Sequence, residues 1–105
     1  MIALKRYIIN KFNSIIYEQD DYNICVDIIN KKSMFHGNSI YFMLEDNFIE
    51  ADLAVLDINS DIAINKLLTL GFYIDEIHNH NEYQHIHISA KLSKENIDLL
   101  EELIK

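Results

Sequence analysis

Apolar residues return every three or four positions at the start of the chain, at Leu4, Ile8, Phe12 and Ile15 with Ile9 and Ile16 beside them, while Lys5, Arg6, Asn10, Lys11, Asn13 and Ser14 fall opposite. A period near 3.6 residues with one polar side is that of an amphipathic helix, so Ala3 to about Glu18 is expected to be helical. Polar Gln19-Asp20-Asp21 ends it. From Tyr22 to Asn30 the period drops to two, with Ile24, Val26 and Ile28 on one side, the pattern of a strand with one buried face. Lys31-Lys32-Ser33 and His36-Gly37-Asn38 supply loop chemistry before a second strand, Ser39 to Glu45, in which Ile40, Phe42 and Leu44 alternate. Asp46-Asn47 reads as a turn. The third strand, Ile49 to Leu56, sets Ala51, Leu53 and Val55 against an outward Glu50, Asp52 and Ala54.

Asn59 or Ser60 is placed to cap a helix running to Leu70, with Asp61 in its first turn and Ile64, Leu67 and Leu68 inward. Gly71 suits its left-handed end, with Phe72 making the apolar contact that follows. Phe72 to His78 and Tyr83 to Leu92 form a hairpin. Ser93 then caps a last helix carrying Ile97, Leu100 and Ile104 in one stripe, with Leu99 and Leu103 beside it. The order is α-β-β-β-α-β-β-α. The expected fold is α+β, a single compact domain over residues 1–105, with a mainly antiparallel five-stranded sheet, helices packed on one face and the other face free. Were Tyr22 to Asn30 a sheet edge, a second copy could pair with it through the side that carries Ile29, giving a homodimer; Lys31 and Lys32 discourage this only near its end.

Composition narrows the chemistry. The chain has 105 residues, half of them apolar, with two glycines, no proline and one cysteine. Gly37 and Gly71 lie too far apart for a glycine-rich phosphate loop, a dinucleotide fingerprint or a nucleophile elbow. Cys25 alone makes no internal disulfide or cysteine-based zinc site and reads as a small core residue. The start of the chain, broken by Lys5, Arg6 and Lys11, lacks the apolar region of a signal peptide, and no apolar run approaches the ~18 residues of a spanning helix. A cytoplasmic protein that engages no membrane is therefore expected. Seventeen acids against nine bases give a net charge of −8, which repels phosphate backbones and disfavours direct nucleic-acid binding. The acids are not evenly spread: from Ser33 to Asn65 there is no Lys or Arg, while Glu45, Asp46, Glu50, Asp52, Asp57 and Asp61 all fall there.

Four of the five histidines, His78, His80, His85 and His87, cluster in the hairpin. Pairing Asn79 with Tyr83 also aligns Ile74 with Ile88 and Phe72 with Ala90, which collects the apolar residues on one side. Asp75, His85, His87 and Ser89 then share the other side, with Asp75 opposite His87. This register turns His78 inward and leaves His80 in the turn; a one-residue slip brings His78 to His85 at the expense of the apolar face. The two His-x-His pairs could chelate zinc with Asp75 or Glu76 as an oxygen ligand, and in this register Asp75, His85 and His87 are the candidate ligands, with one open position. The plainer reading, a solvated face with a cross-strand Asp75–His87 pair, is favoured over it. His85-Ile86-His87-Ile88-Ser89 also resembles the His-x-His-x-His strand of the histidine triad nucleotide hydrolases. That resemblance implies His87 as a nucleophile toward phosphorus, with Ser89 standing where the third histidine belongs. His87-Ile88-Ser89 likewise resembles one of the two His-x-Ser/Thr motifs of the two-histidine phosphoesterases.

No complete catalytic motif emerges, so a role without catalysis or cofactor is expected. The candidate partner-binding residues are the acids Glu45, Asp46, Glu50, Asp52, Asp57 and Asp61 as one negative patch, with Tyr41 and Phe48 as apolar anchors. A small acidic domain of this kind fits an inhibitor that occupies the basic, nucleic-acid-binding cleft of another protein, with carboxylates in place of phosphates. Immunity proteins against bacterial toxin nucleases, antitoxins and phage-encoded inhibitors share this profile. The alternative is a metal-binding or phosphohydrolase-like enzyme using His85 and His87.

Overall fold

A computed structural model describes residues 2–28 and 33–104. Helix α1 (Ile2–Phe12) leads through a 3-10 turn (Asn13–Ile15) into strands β1 (Ile16–Gln19), β2 (Asn23–Asp27), β3 (Gly37–Met43) and β4 (Phe48–Leu56). A second 3-10 turn (Asp57–Asn59) precedes α2 (Ser60–Thr69), β5 (Tyr73–His80), β6 (Tyr83–Lys91) and α3 (Lys94–Leu103). The strands form one sheet in the order β1-β2-β3-β4-β6-β5, and every neighbouring pair is antiparallel. The α+β class, the antiparallel sheet and the three helices are as expected, but the sheet has six strands rather than five.

The additional strand comes from the end of the expected first helix. After Phe12 the chain tightens and then extends, so that Ile16 pairs with Val26 and Gln19 with Ile24. Branched Ile15 and Ile16 followed by Tyr17 favour extended backbone, although their spacing continues the helical pattern. Gln19-Asp20-Asp21 is consequently a strand-to-strand turn and not a helix end. The Asp20 carboxylate accepts the backbone N–H groups of Tyr22 at 2.7 Å and Asn23 at 2.8 Å, and these bonds lower its pKa. Because β1 covers β2 on one side and β3 on the other, Asn23–Asp27, the strand described within the expected Tyr22 to Asn30, is not a sheet edge. Ile29, Asn30, Lys31 and Lys32 lie outside the described residues.

The helices share one core with one side of the sheet. Ile8 and Phe12 of α1, Ala63 and Leu67 of α2, and Ile97 and Leu100 of α3 pack with Ile24, Val26, Ile40, Phe42, Leu53, Val55, Ile86 and Ile88 in one buried cluster. Cys25 is buried too, but it stands outside this cluster, on the opposite side of the sheet. The helix ends follow local chemistry. Asn59 occupies the N-cap position of α2 without a side-chain cap bond, so that end relies on the preceding 3-10 turn. Its other end is a Schellman motif: Gly71 at φ 91° donates to Leu68 at 3.0 Å, and Phe72 donates to Leu67 at 3.1 Å. In α3 the Ser93 hydroxyl accepts the Asn96 N–H at 3.2 Å, as its cap position requires. No helix among the described residues is long and apolar enough to cross a membrane.

Helices α1 and α3 are tied at the surface. The Tyr7 hydroxyl donates to Asp98, and the Lys11 ammonium lies 3.0 Å from Asp98 and 3.2 Å from Glu101. The Tyr7 hydrogen bond, and then Lys11, lower the pKa of Asp98; the same carboxylates raise that of Lys11.

Two outcomes follow for stability. Leu53 is fully buried, and Leu53→Ala is expected to lower the unfolding free energy by about 2–5 kcal/mol, read from denaturant titration. A carboxyl whose pKa is depressed by folding stabilises above its unfolded value of about 4 and loses that contribution as pH falls through its folded value. Asp98→Asn is thus expected to melt below the wild type at neutral pH, with the difference shrinking as the pH drops below about 4. A gap that stays constant through acidification contradicts the assignment.

Candidate functional site: the uncovered sheet face

Alternation sends every second side chain of the strands away from the helices. Cross-strand register then assembles these side chains into rows. One row runs Asp27, Ser39, Asp52, His87, Glu76 across five strands. On one side of it lies Cys25, Tyr41, Glu50, Ser89, Tyr73, and on the other Gly37, Ala54, His85, His78. No lysine or arginine occupies these rows. A groove of about 440 Å³ opens between them, lined by Ser39, Tyr41, Glu50, Asp52, Asp75, Glu76 and His87.

The tyrosines border this groove toward β1. The Tyr17 hydroxyl donates to that of Tyr41 at 3.5 Å, a bond that, with burial, raises the Tyr17 pKa and keeps the phenol protonated. Burial likewise raises the pKa of the neighbouring Cys25, which therefore stays a thiol. Asp52 sits at the centre of the face. One of its carboxylate oxygens is buried with no hydrogen-bond partner, 3.6 Å from His87 Nε2 and 3.7 Å from His85 Nδ1. His78 Nε2 contacts Glu76 Oε1 at 3.1 Å and stacks edge-on against His87, their ring centroids 5.5 Å apart; His80 and His85 repeat the arrangement at 5.9 Å.

The hairpin reaches this geometry by a register that combines both expected alternatives. Ile74 pairs with Ile88 as expected, but Asn79 pairs with Gln84 and not Tyr83, and His80 pairs with Tyr83 instead of lying in the turn. The ladder shifts between Ile74 and Glu76. Asp75 is the bulged residue. Ile74 and Ile77 are three apart, whereas their partners Ile88 and Ile86 are two apart, so one residue of β5 must be extra if both isoleucines are to reach the core side. His78 consequently faces outward, opposite His85, and not inward. Asp75 does not stand opposite His87: Glu76 takes that place, and the Asp75 carboxylate accepts the Ser89 hydroxyl at 3.2 Å. The proposed ligand set Asp75, His85, His87 is therefore not assembled as expected. Among the described residues, no three histidine, cysteine or carboxylate side chains are placed to hold a metal ion. His36 lies before β3, its backbone N–H bonded to Ala54 at 2.7 Å and its ring edge-on to Tyr83.

Of the expected partner-binding residues, the structure brings Tyr41, Glu50 and Asp52 together, with Phe48 on the same side at the end of β4, beside Lys91. Glu45 and Asp46 lie in the β3–β4 turn, while Asp57 and Asp61 lie beyond the other end of β4, in the 3-10 turn and in α2. Nine residues of strand, about 25 Å, separate the two groups, so they do not form one patch. Asp57 accepts a hydrogen bond from Gln84 at 2.8 Å instead. Asp27, Asp75 and Glu76 complete the acidic face in their stead. No protein-family model, curated protein or solved structure matches the chain.

The bulge makes a separable prediction. Deleting Asp75 leaves Ile74 and Glu76 adjacent, opposite His87 and Ile88, so the strand becomes regular with both faces preserved. The deletion variant is expected to fold, with the NOE contact between His78 and His85 retained.

Proposed function

We propose that the chain is a binding protein whose acidic sheet face occupies the basic, nucleic-acid-binding surface of a partner protein and so inhibits it. The observation that carries this reading is the sheet face opposite the helices, where Asp27, Glu50, Asp52, Asp75 and Glu76 gather without a lysine or arginine in their rows. A partner that binds phosphates presents clustered Lys and Arg, and carboxylates fixed on a rigid sheet can accept the same donors that phosphate oxygens accept. Tyr17, Tyr41 and Tyr73 are 49%, 39% and 74% exposed around this face and supply large, stiff contact area. Among proteins with such a target, an immunity protein that neutralises a toxin nuclease fits best; an antitoxin or a phage-encoded inhibitor would use the same chemistry.

The test coproduces the chain with the product of the neighbouring gene and measures both association and nuclease activity. The expected result is copurification, loss of nuclease activity, and an affinity that falls roughly tenfold or more between low and physiological salt. The double reversal Glu50→Lys/Asp52→Lys is expected to abolish binding, with circular dichroism confirming that the free variant is folded. Binding indifferent to salt and to the reversal would overturn the proposal. So would phosphodiester hydrolysis by the chain alone that disappears on His87→Ala.

A further inference from the structure

The two lateral edges of the sheet are unlike. β1 is four residues long and pairs irregularly with β2. β5 is eight residues long, and only Ile74 among its residues is not exposed. A bare edge carries a row of unpaired N–H and C=O groups and accepts another strand unless proline, charged side chains, a bulge or a covering element prevents it. β5 contains neither proline nor lysine; its bulge at Asp75 protects only its first part, and its acid Glu76 has His78 two residues on as a complement.

We propose that β5 pairs antiparallel with β5 of a second copy, about a two-fold axis at Ile77, to give one continuous sheet with all helices on the same side. In a two-fold strand pair centred on one residue, its two neighbours oppose each other across the axis. Centred on Ile77, Glu76 of each copy opposes His78 of the other. Within one copy these two side chains already approach to 3.1 Å on the outer face, so the axis gathers two carboxylates and two imidazoles in alternation. On the helix side, Ile77 belongs to the row of Ile86, yet it is 43% exposed where Ile86 is fully buried. Pairing places it against its own copy and closes that row.

Neighbouring registers lose both gains. An axis at Glu76 sets two carboxylates face to face and leaves Ile77 opposite Asp75. An axis at His78 puts the imidazole on itself and Ile77 opposite Asn79. An axis between two residues turns one copy over, so that Ile77 meets a residue of the outer face. The surroundings favour a contact on this side of the molecule. Helix α2 packs against β5, and Ile58, Ile62, Leu68, Tyr73 and Ile77, all from β5, α2 or the turn before it, are five of the eight large apolar side chains exposed among the described residues. The bulge at Asp75 restricts the regular ladder to the residues around the axis, so the association is reversible and concentration-dependent.

Sedimentation of the full chain at about 150 mM salt, where the −8 charge of each copy is screened beyond roughly 8 Å, tests this directly. A monomer–dimer equilibrium is expected between roughly 10 μM and 1 mM, with Ile77→Lys raising the dissociation constant about tenfold or more. Glu76→His and His78→Glu are each expected to raise it about fivefold, and the double swap Glu76→His/His78→Glu to return it to within about threefold of the wild type. Unchanged circular dichroism and melting confirm that the variants are folded. A chain monomeric at 1 mM, a dimer indifferent to Ile77→Lys, or a double swap no better than the single ones would overturn the proposal. None of these outcomes depends on binding to a basic partner.

Discussion

The buried apolar side chains of the helices meet one side of one sheet, and this imposes a parity on every strand. Ile24 and Val26, Ile40 and Phe42, Leu53 and Val55, and Ile86 and Ile88 obey it with strict spacing of two. The same rule decides the opposite face, because every residue between two core positions is sent there. The acidic face follows from that alternation: Asp52 is outward because Ala51 and Leu53 are inward, and His87 because Ile86 and Ile88 are. A one-residue slip of β4 would move Glu50 and Asp52 into the core, where their desolvation outweighs any hydrogen bond gained.

β5 shows what happens when the sequence cannot keep the parity. Ile74 and Ile77 have odd spacing, and the strand absorbs the difference in a bulge at Asp75, which the Ser89 hydroxyl then holds. The consequence extends to the chemistry of the face. Without the bulge, His78 and His80 would leave the outer side, and Glu76 would not reach the row of Asp52 and His87. By setting Asp75 out of the ladder, the bulge lets Glu76 line the groove and pair with His78 at the sheet edge.

Where apolar spacing was unambiguous, the elements could be read from the chain alone: β3, β4, the Schellman end of α2 at Gly71 and the Ser93 cap of α3. β1 was hidden because Ile15 and Ile16 extend the spacing of Leu4, Ile8 and Phe12, and a short apolar run serves a helix or a strand equally well. The branched pair before Tyr17, with a turn at Asp20 and a strand beyond, was the available signal. The bulge was legible too, in the mismatch between Ile74–Ile77 and Ile86–Ile88. The acidic patch was only half legible, since proximity along a chain is not proximity across a sheet. Glu45 and Asp61 share a base-free stretch but sit at opposite ends of β4, whereas Asp27 and Glu76, far apart in sequence, belong to one row.

Glu76 stands where the face and the edge meet, lining the groove and flanking Ile77. A carboxylate has two oxygens and about four acceptor sites, and the short contact to His78 involves one oxygen. The remaining capacity is available to the groove that Glu76 lines and to the edge that it flanks. On the two proposals above, cations of a partner and an imidazole of a second copy would draw on the same carboxylate. Each also relieves part of the repulsion that Asp52, Asp75 and Glu76 exert within the groove. A first donor that neutralises part of this field leaves a weaker field for the second, so on the two proposals above the face and the edge compete at Glu76 rather than act independently.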